Sequence, residues 1–257
     1  ADEVAVILLV HQAADWLPRT LNALRRSDER AAVQIAVDLG STDESTNLLE
    51  EAVGEGLLEE CVTASADTTP GQGVSLALDR LPDDVTHVWI LHDDVEVGRD
   101  SLSSLLHEAS RKPHPDVLYP TLLKPARHNY PEFIDEQGQS VSTGGTRVLP
   151  VVDRGDIDQK QADPGPILGG STAGMFVRLE AWSRLDGFDP ALPLFRDGVD
   201  FGWRANEAGM VVRTAPTCTI HHRQAGRGWQ RESNLAPRPD ATDRLAGMRM
   251  VAARTGH

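Results

Sequence analysis

Strand-length apolar runs that alternate with helix-patterned segments, each run closing on polar residues, set the tightest limit on how this chain folds. Val4–Val10 is apolar throughout, as a strand covered on both faces must be. Leu17, Leu21 and Leu24 then recur at helical spacing beside Trp16. Val33–Val37 is a second strand, followed by Asp38 and a Gly40–Ser41 turn. A helix is predicted over Thr42–Val53, with acids in its first turn. Leu57–Ala64 reads as a third strand, and Pro70, Gly71 and Gly73 break the chain before a short helix through Leu78. Val88–Leu91 is a fourth strand that runs into His92, Asp93 and Asp94, with a helix expected from Asp100. This order predicts an α/β fold around a mostly parallel sheet.

The middle of the chain breaks the pattern. Residues 111–166 are punctuated by prolines from Pro113 to Pro166 and by Gly144–Gly145. Short strands around Val117–Tyr119 and Thr146–Val152 are expected there, joined by long loops. Regular order returns with a strand over Met175–Leu179, helices over Glu180–Leu185 and Val199–Ala208, and a strand over Val211–Ile220. After His222 an arginine-rich segment ends in a helix over Ala241–Ala253.

Charge limits the partners. Lys and Arg number 25 against 39 Asp and Glu, a net charge of −14. A nucleic-acid binder needs a basic surface for phosphates, so that class is excluded, and an anionic substrate would need a local cation to meet it. Cys61 and Cys218 lack the spacing of a metal site or a disulfide framework and read as buried thiols. No segment approaches the ~20 apolar residues of a membrane span. The chain starts at Ala1 without an initiator Met or a leader, which suits a piece of a longer protein, and we expect the native chain to continue beyond His257.

Chemistry-bearing groups gather where strands end, which is where ligands bind in open parallel sheets. His11–Gln12, Asp38 and His92–Asp93–Asp94 all occupy such ends. A lone Asp38 reads first as a turn residue. Asp93 and Asp94 repel each other unless a cation or hydrogen bonds compensate, and Mg²⁺ or Mn²⁺ is the economical partner. His221–His222 closes another strand and gains meaning as a ligand only if it meets Asp94 in space.

Taken in order, these segments resemble the family 2 glycosyltransferases of GT-A fold, over nearly the whole chain from Val4 to about His222. VAVILLVHQAADWLPRTLNAL looks like the family's opening strand and helix, with His11–Gln12 in place of an aromatic and Asn. VDLGSTDES is similar to the VD-x-GSTD-x-S signature, in which the first Asp, here Asp38, contacts the nucleotide base. Leu39 stands where an Asp or Asn is common. PGQGVSLAL, with Gly73, resembles the segment before a donor-side helix. WILHDDVEV resembles the strand carrying the DXD motif, with His92 in its first position and Asp94 in its last. GGSTAGMFVRLEAWSRLDGFDPAL is similar to the acceptor-side segment, and IHH to the strand end that supplies a late metal-binding His.

The resemblance implies a metal-dependent, inverting transferase that moves a sugar from a nucleotide-diphosphate donor to a glycan or lipid-linked cell-envelope acceptor. On that resemblance it would work in the cytoplasm or at the cytoplasmic face of the membrane, with any membrane association expected to come through the rest of a longer chain. Residues 1–222 would form the GT-A domain, with a nucleotide-sugar half (1–110) and an acceptor half (111–222). Residues 223–257 would be an arginine-rich tail whose Trp229 region covers the donor or is simply solvated. Val10, His11, Asp38, Gly73 and Asp93 would bind the nucleotide sugar. Asp94 and His221 would hold Mn²⁺ or Mg²⁺, and Gly174 and Trp203 would face the acceptor.

PLFRDGVDFGWRANEAG looks like the helix that opens with an acidic pair, whose second member is the catalytic base. That position is Gly198 here. Asp197, with Asp200 nearby, is then the candidate base; the other reading is a sugar-nucleotide binding module with little or no transfer. A carboxylate placed at 198 is expected to raise transfer. Asp200 and Arg204, four apart, also suit a simple helical ion pair. A nucleotidyltransferase would want a basic, Gly-rich loop after the first strand, and His11-Gln12-Ala13-Ala14 is not one.

Overall fold

In a computed structural model, residues 2–192, 194–226, 233 and 235–256 are described. In chain order the elements begin β1 (Val4–Val10), α1 (Leu17–Arg25), β2 (Val33–Leu39), α2 (Ser45–Gly54), β3 (Glu60–Ala64), α3 (Pro70–Leu78), β4 (His87–His92), β5 (Val95–Val97) and α4 (Ser101–Ala109). They continue with β6 (Val117–Leu123), β7 (Ile134–Glu136), β8 (Ser140–Val141), β9 (Arg147–Val148), β10 (Phe176–Arg178), α5 (Leu179–Arg184), α6 (Asp197–Glu207), β11 (Val212–His222) and α7 (Pro239–Thr255).

The main sheet has the order β3-β2-β1-β4-β10-β6-β11-β5, with β7 alongside β6. The strands β3, β2, β1 and β4 run parallel, as the first half of the sequence requires. The antiparallel β10 sits between β4 and β6. The parallel run resumes at β6–β11, and β5 pairs antiparallel with the end of β11.

Strand alternation sorts the core into two faces. Val4, Val6, Leu8 and Val10 pack with Leu17, Leu21 and Leu24 of α1, Leu49 of α2 and Leu105 of α4. Ala5, Ile7 and Leu9 pack on the other side with Val74 of α3, Trp182 of α5 and Phe201 of α6. Helices thus cover both faces, and each fully buried Leu or Ile contributes on the order of 1.5–3 kcal/mol. Trp182, Phe188 and Phe201 interlock with ring centroids 4.7, 5.4 and 5.9 Å apart, so the aromatic at 201 is core.

Several boundaries differ from expectation for local reasons. The second helix starts at Ser45 because Asp43 precedes it and accepts from the Ser45 N–H, so no acid lies in its first turn. β3 starts at Glu60 because the N–H groups of Leu57 and Leu58 are drawn to the Ala52 carbonyl at the end of α2. Of Thr146–Val152 only Arg147–Val148 is strand, the return arm of a two-stranded hairpin with β8. The register of β11 shifts between Ala215 and Thr219, which absorbs Pro216 and carries the strand on to His222.

The C-terminal helix is not a detached tail. Ala246 and Met250 of α7 pack with Val199 of α6 and Leu192. Arg254 reaches Asp200 (Nε–Oδ1 2.7 Å) and Asp189 (Nη2–Oδ2 2.5 Å). Trp229 lies outside the described residues. No helix among the described residues is long and apolar enough to cross a membrane.

Candidate active site

The carboxyl ends of β1 and β4 open onto one cleft, to which β11 adds His222. Its lining includes Val10, His11, Leu39, His92, Asp93, Asp94, Thr172, Asp197, Gly198 and His222. The strand-end side is braced by Asp93. One of its carboxylate oxygens accepts the His11 backbone N–H (2.8 Å) and the other the Trp16 Nε1–H (3.3 Å). Its carbonyl accepts the Thr20 hydroxyl at 2.6 Å. His11 Nδ1 lies 2.8 Å from the Leu39 carbonyl, tying the ends of β1 and β2. Val10, His11 and Asp93 therefore shape the cleft, with the Asp93 carboxylate spent on the β1–α1 turn.

Two expected donor residues sit beneath it. Asp38 is 1% exposed; Oδ1 accepts the Ser41 N–H (2.9 Å) and Oδ2 the Thr46 hydroxyl (2.6 Å). Its carboxylate serves the turn, and it is absent from the cleft lining. Gly73 is a packing residue: a Cβ there would meet Leu39 at 3.0 Å and Leu9 at 3.2 Å, so its absence lets α3 lie on the sheet.

The metal reading shifts by one residue. His221 points away, with Nε2 2.9 Å from Glu132 Oε1. His222, which pairs with Val95, places Nε2 3.4 Å from Asp94 Oδ1. Neighbouring strand residues face opposite sides, so only one of the two histidines can meet Asp94. His92 completes the group: one ligand atom each from His92, Asp94 and His222 all lie within 4.8 Å of one another. The Ala225 N–H fixes Asp94 Oδ2 at 2.8 Å, and His92 Nε2 lies 2.9 Å from the Thr172 hydroxyl. His222 Nδ1 is buried with no hydrogen-bond partner among the described residues. Burial opposes protonation of His222, but Asp94 and, behind it, Asp135 and Glu136 outweigh this and raise its pKa. Two imidazoles and a carboxylate, one ring nitrogen left open, fit a divalent cation, and this donor set suits Mn²⁺ better than the all-oxygen preference of Mg²⁺.

Across the cleft stands the start of α6. Asp197 is 8% exposed and accepts the Gly198 N–H at 3.0 Å. Burial pushes its carboxyl up to about 6, against the backbone N–H donors of Gly198 and Asp197 and with Asp200 adding to the rise. Gly198 is required by contact: a Cβ there would sit 2.4 Å from the Gly170 carbonyl oxygen and 3.0 Å from the Thr172 nitrogen. At Gly202, one turn on, a Cβ would stand 2.4 Å from the Leu168 oxygen. This face of α6 lies directly on the 168–172 backbone, and the Tyr119 hydroxyl donates to the Gly198 carbonyl at 2.6 Å. No side chain fits at 198, so the expectation that a carboxylate there would help is overturned.

Three other assignments move. Asp200 is fully buried; Arg204 Nε meets Oδ2 at 2.8 Å and Arg254 Nε meets Oδ1 at 2.7 Å, which makes it an ion-pair hub under α6. Trp203 donates along its own helix to Glu207 (2.9 Å) and is absent from the cleft lining. Gly174, at φ +96°, is wedged against Ile220 and Pro120 and gives its carbonyl to Trp89 Nε1. Reasoning on the sequence passed over His92 as a ligand, although its strand-end position signals it. It also passed over Arg147 and Arg196, which line the same cleft from β9 and the entry to α6.

Comparison with known proteins agrees with this architecture. No family model matches the chain. It is 26% identical over 259 residues to the N-acetylglucosaminyl-diphospho-decaprenol L-rhamnosyltransferase of Mycobacterium tuberculosis, covering 94% of this chain and 83% of the relative. GalNAc-T7 solved with UDP, GalNAc and Mn²⁺ superposes with TM-score 0.66 at 12% identity, over 86% of this chain and 43% of that one. The Pyrobaculum calidifontis mannosyltransferase PcManGT, in complex with GDP-Man and Mn²⁺, gives 0.62 at 14% identity over 99% and 74%. S. aureus TarS 1–349 with UDP-GlcNAc gives 0.61 at 15% over 98% and 66%. This chain thus spans less than half of the GalNAc-T7 chain. The fold is GT-A, and the resemblance to glycosyltransferases read in the sequence is borne out.

Proposed function

We propose that this chain, a glycosyltransferase of GT-A fold, is metal-dependent and inverting, and moves a sugar from a nucleotide-diphosphate donor to a lipid-linked or glycan acceptor of the cell envelope. The observation that carries the mechanism is one cleft lined both by the His92–Asp94–His222 group and by the buried Asp197 carboxylate. The acceptor class rests on the rhamnosyltransferase relative, whose named acceptor is a sugar on diphospho-decaprenol.

Asp94, His222 and His92 would hold Mn²⁺. When bound, the ion supplies charge neutralisation for the departing diphosphate, which the chain's −14 charge would otherwise repel. The end of β1 at Val10 and His11, with Leu39, forms the floor on which the nucleotide lies. Asp197 takes the proton from the acceptor hydroxyl as that oxygen attacks the anomeric carbon on the face opposite the leaving diphosphate. A carboxyl at about 6 is ionised at neutral pH yet basic enough to accept that proton, the compromise a general base needs. Its place in the first turn of α6 favours the ionised form through the helix dipole.

Residues 1–110, joined by His222, then serve the donor and the rest of 111–222 the acceptor, with α7 packed behind α6. Work at the cytoplasmic face of a membrane follows from a lipid-linked acceptor and a soluble nucleotide donor.

The test is a panel of UDP-, GDP- and dTDP-sugars incubated with a prenyl-diphosphate-linked sugar, with and without Mn²⁺. Mass spectrometry should show Mn²⁺-dependent transfer from one donor with inverted anomeric configuration. No transfer from any donor, with no thermal shift by any nucleotide, would remove the proposal.

A further inference from the structure

The acceptor wall holds two arginines that the reaction above does not use. Arg196 enters α6 with left-handed backbone (φ 62°) immediately before Asp197 and is only 6% exposed. Its Nε and Nη2 grip Asp243 of α7 at 2.6 and 3.1 Å. Its Nη1 is buried and has no hydrogen-bond partner among the described residues. Arg147 of β9 reaches the same Asp243 through Nη2 at 3.4 Å, and its Nε is likewise buried and unpartnered. Both arginines line the cleft.

Two guanidinium groups converge on one carboxylate here, and each keeps a buried donor that this carboxylate does not take up, in a cleft whose lining is otherwise acidic. A buried guanidinium donor without an acceptor is costly, so two of them in one cleft call for a group that completes them, and a bound anion is one that can. The planar fork of arginine matches phosphate oxygens, and two forks on a shared carboxylate are pre-set for a dianionic group.

The setting is built. The β8–β9 turn and α7 touch backbone to backbone: a Cβ at Gly145 would meet the Gly247 carbonyl carbon at 2.5 Å, and one at Gly247 the Gly145 oxygen at 2.4 Å. The guanidinium carbon of Arg196 lies 3.5 Å from that same Gly247 Cβ position. Three elements distant in sequence thus converge to hold the two arginines in place.

We propose that Arg196 and Arg147, set by Asp243, form a diphosphate-binding subsite of the cleft, distinct from the His92–Asp94–His222 group. Anion binding there follows from the geometry alone. That the anion is a substrate diphosphate, of the donor or of a lipid-linked acceptor, rests on the glycosyltransferase reading.

The first test is calorimetric titration of the whole chain with inorganic pyrophosphate in EDTA, which takes divalent cations out of the measurement. Wild type should bind, and Arg196→Gln and Arg147→Gln should each lose at least about tenfold, as expected for a charge-assisted hydrogen bond. Arg147 stands on a hairpin, so its variant keeps the test valid if Arg196→Gln fails to fold. Titration of UDP and of farnesyl diphosphate, each with Mn²⁺, then assigns the source. Weakening confined to farnesyl diphosphate assigns the subsite to the acceptor, weakening confined to UDP to the donor, and weakening of both to a shared position. Absence of pyrophosphate binding by wild type, or equal affinity in a folded Arg147→Gln, would overturn the subsite. A wild type that binds pyrophosphate but transfers no sugar would overturn the enzymatic reading and leave the subsite standing.

Discussion

The two walls of the cleft are held by different physics. On the strand-end wall, side chains do the bracing: Asp93 ties β4 to the β1–α1 turn through His11, Trp16 and Thr20, while Asp94 is fixed by the Ala225 N–H. On the α6 wall, Gly198 and Gly202 let a helix rest on the 168–172 backbone, and Gly145 and Gly247 do the same for the hairpin and α7. On the first wall a substitution at a bracing residue costs hydrogen bonds. On the second, a Cβ at Gly198, Gly202, Gly145 or Gly247 would run into backbone. A polar change on the first alters chemistry and leaves the frame, whereas an added methyl group on the second moves the frame itself.

The largest effect should come from Asp94→Ala on the strand-end wall. It should abolish the Mn²⁺-dependent thermal shift produced by a nucleoside diphosphate, while Asp93→Ala, which cuts a brace, should lower stability and keep that shift. A shift retained in Asp94→Ala would break the division of labour between the two neighbours.

Next comes Asp200→Ala beneath α6. It leaves Arg204 and Arg254 without their shared carboxylate and should cost roughly 3–5 kcal/mol in denaturant unfolding, the range for breaking a buried pair. A loss below about 1 kcal/mol would mean that α7 is not locked through this hub.

Gly198→Ala should cost about 1–3 kcal/mol by overpacking, with Gly170 and Thr172 backbone in the way. The control is Gly54 in α2, exposed and with nothing within 4 Å of its would-be Cβ. Gly54→Ala should be neutral or stabilising by up to about 1 kcal/mol. Equal responses at both positions would erase the contrast between the walls.

The smallest effect is a pH dependence. Because burial raises Asp197 from 3.8 to about 6, its contribution to stability is fully present below pH 3.8 and is lost as pH rises through about 6. Transfer should run the opposite way, rising with pH through about 6 as the base ionises. Asp197→Asn should flatten the stability profile across that window, which equilibrium unfolding at several pH values would show.

The strand-end wall was legible because its information is local. Continuous apolar runs ending in His11, Asp38 and His92–Asp93–Asp94 locate the sheet and its functional edge without tertiary knowledge. Which of His221 and His222 faces Asp94 depends on the pairing of His222 with Val95, and no periodicity within β11 reveals that. The α6 wall was legible only as a departure from a family pattern. Gly198 looked like a lost carboxylate because the backbone pressed against it belongs to residues 168–172. Asp200 and Trp203 sat in the right stretch of sequence but turn into the core and along the helix. Arg147, Arg196 and Asp243 left no trace in the sequence, since their meeting depends on two glycines, 145 and 247, closing on each other.

The central claim is that Asp197 is the base in a cleft whose other wall binds the donor and its metal. Its most direct test is a single-turnover measurement of sugar transfer by Asp197→Asn, paired with donor affinity on the same preparation. The expected result is donor binding within about threefold of wild type and transfer lower by 10²–10⁴-fold, the usual contribution of a positioned general base. A folded Asp197→Asn protein that binds donor and transfers sugar at the wild-type rate would contradict it.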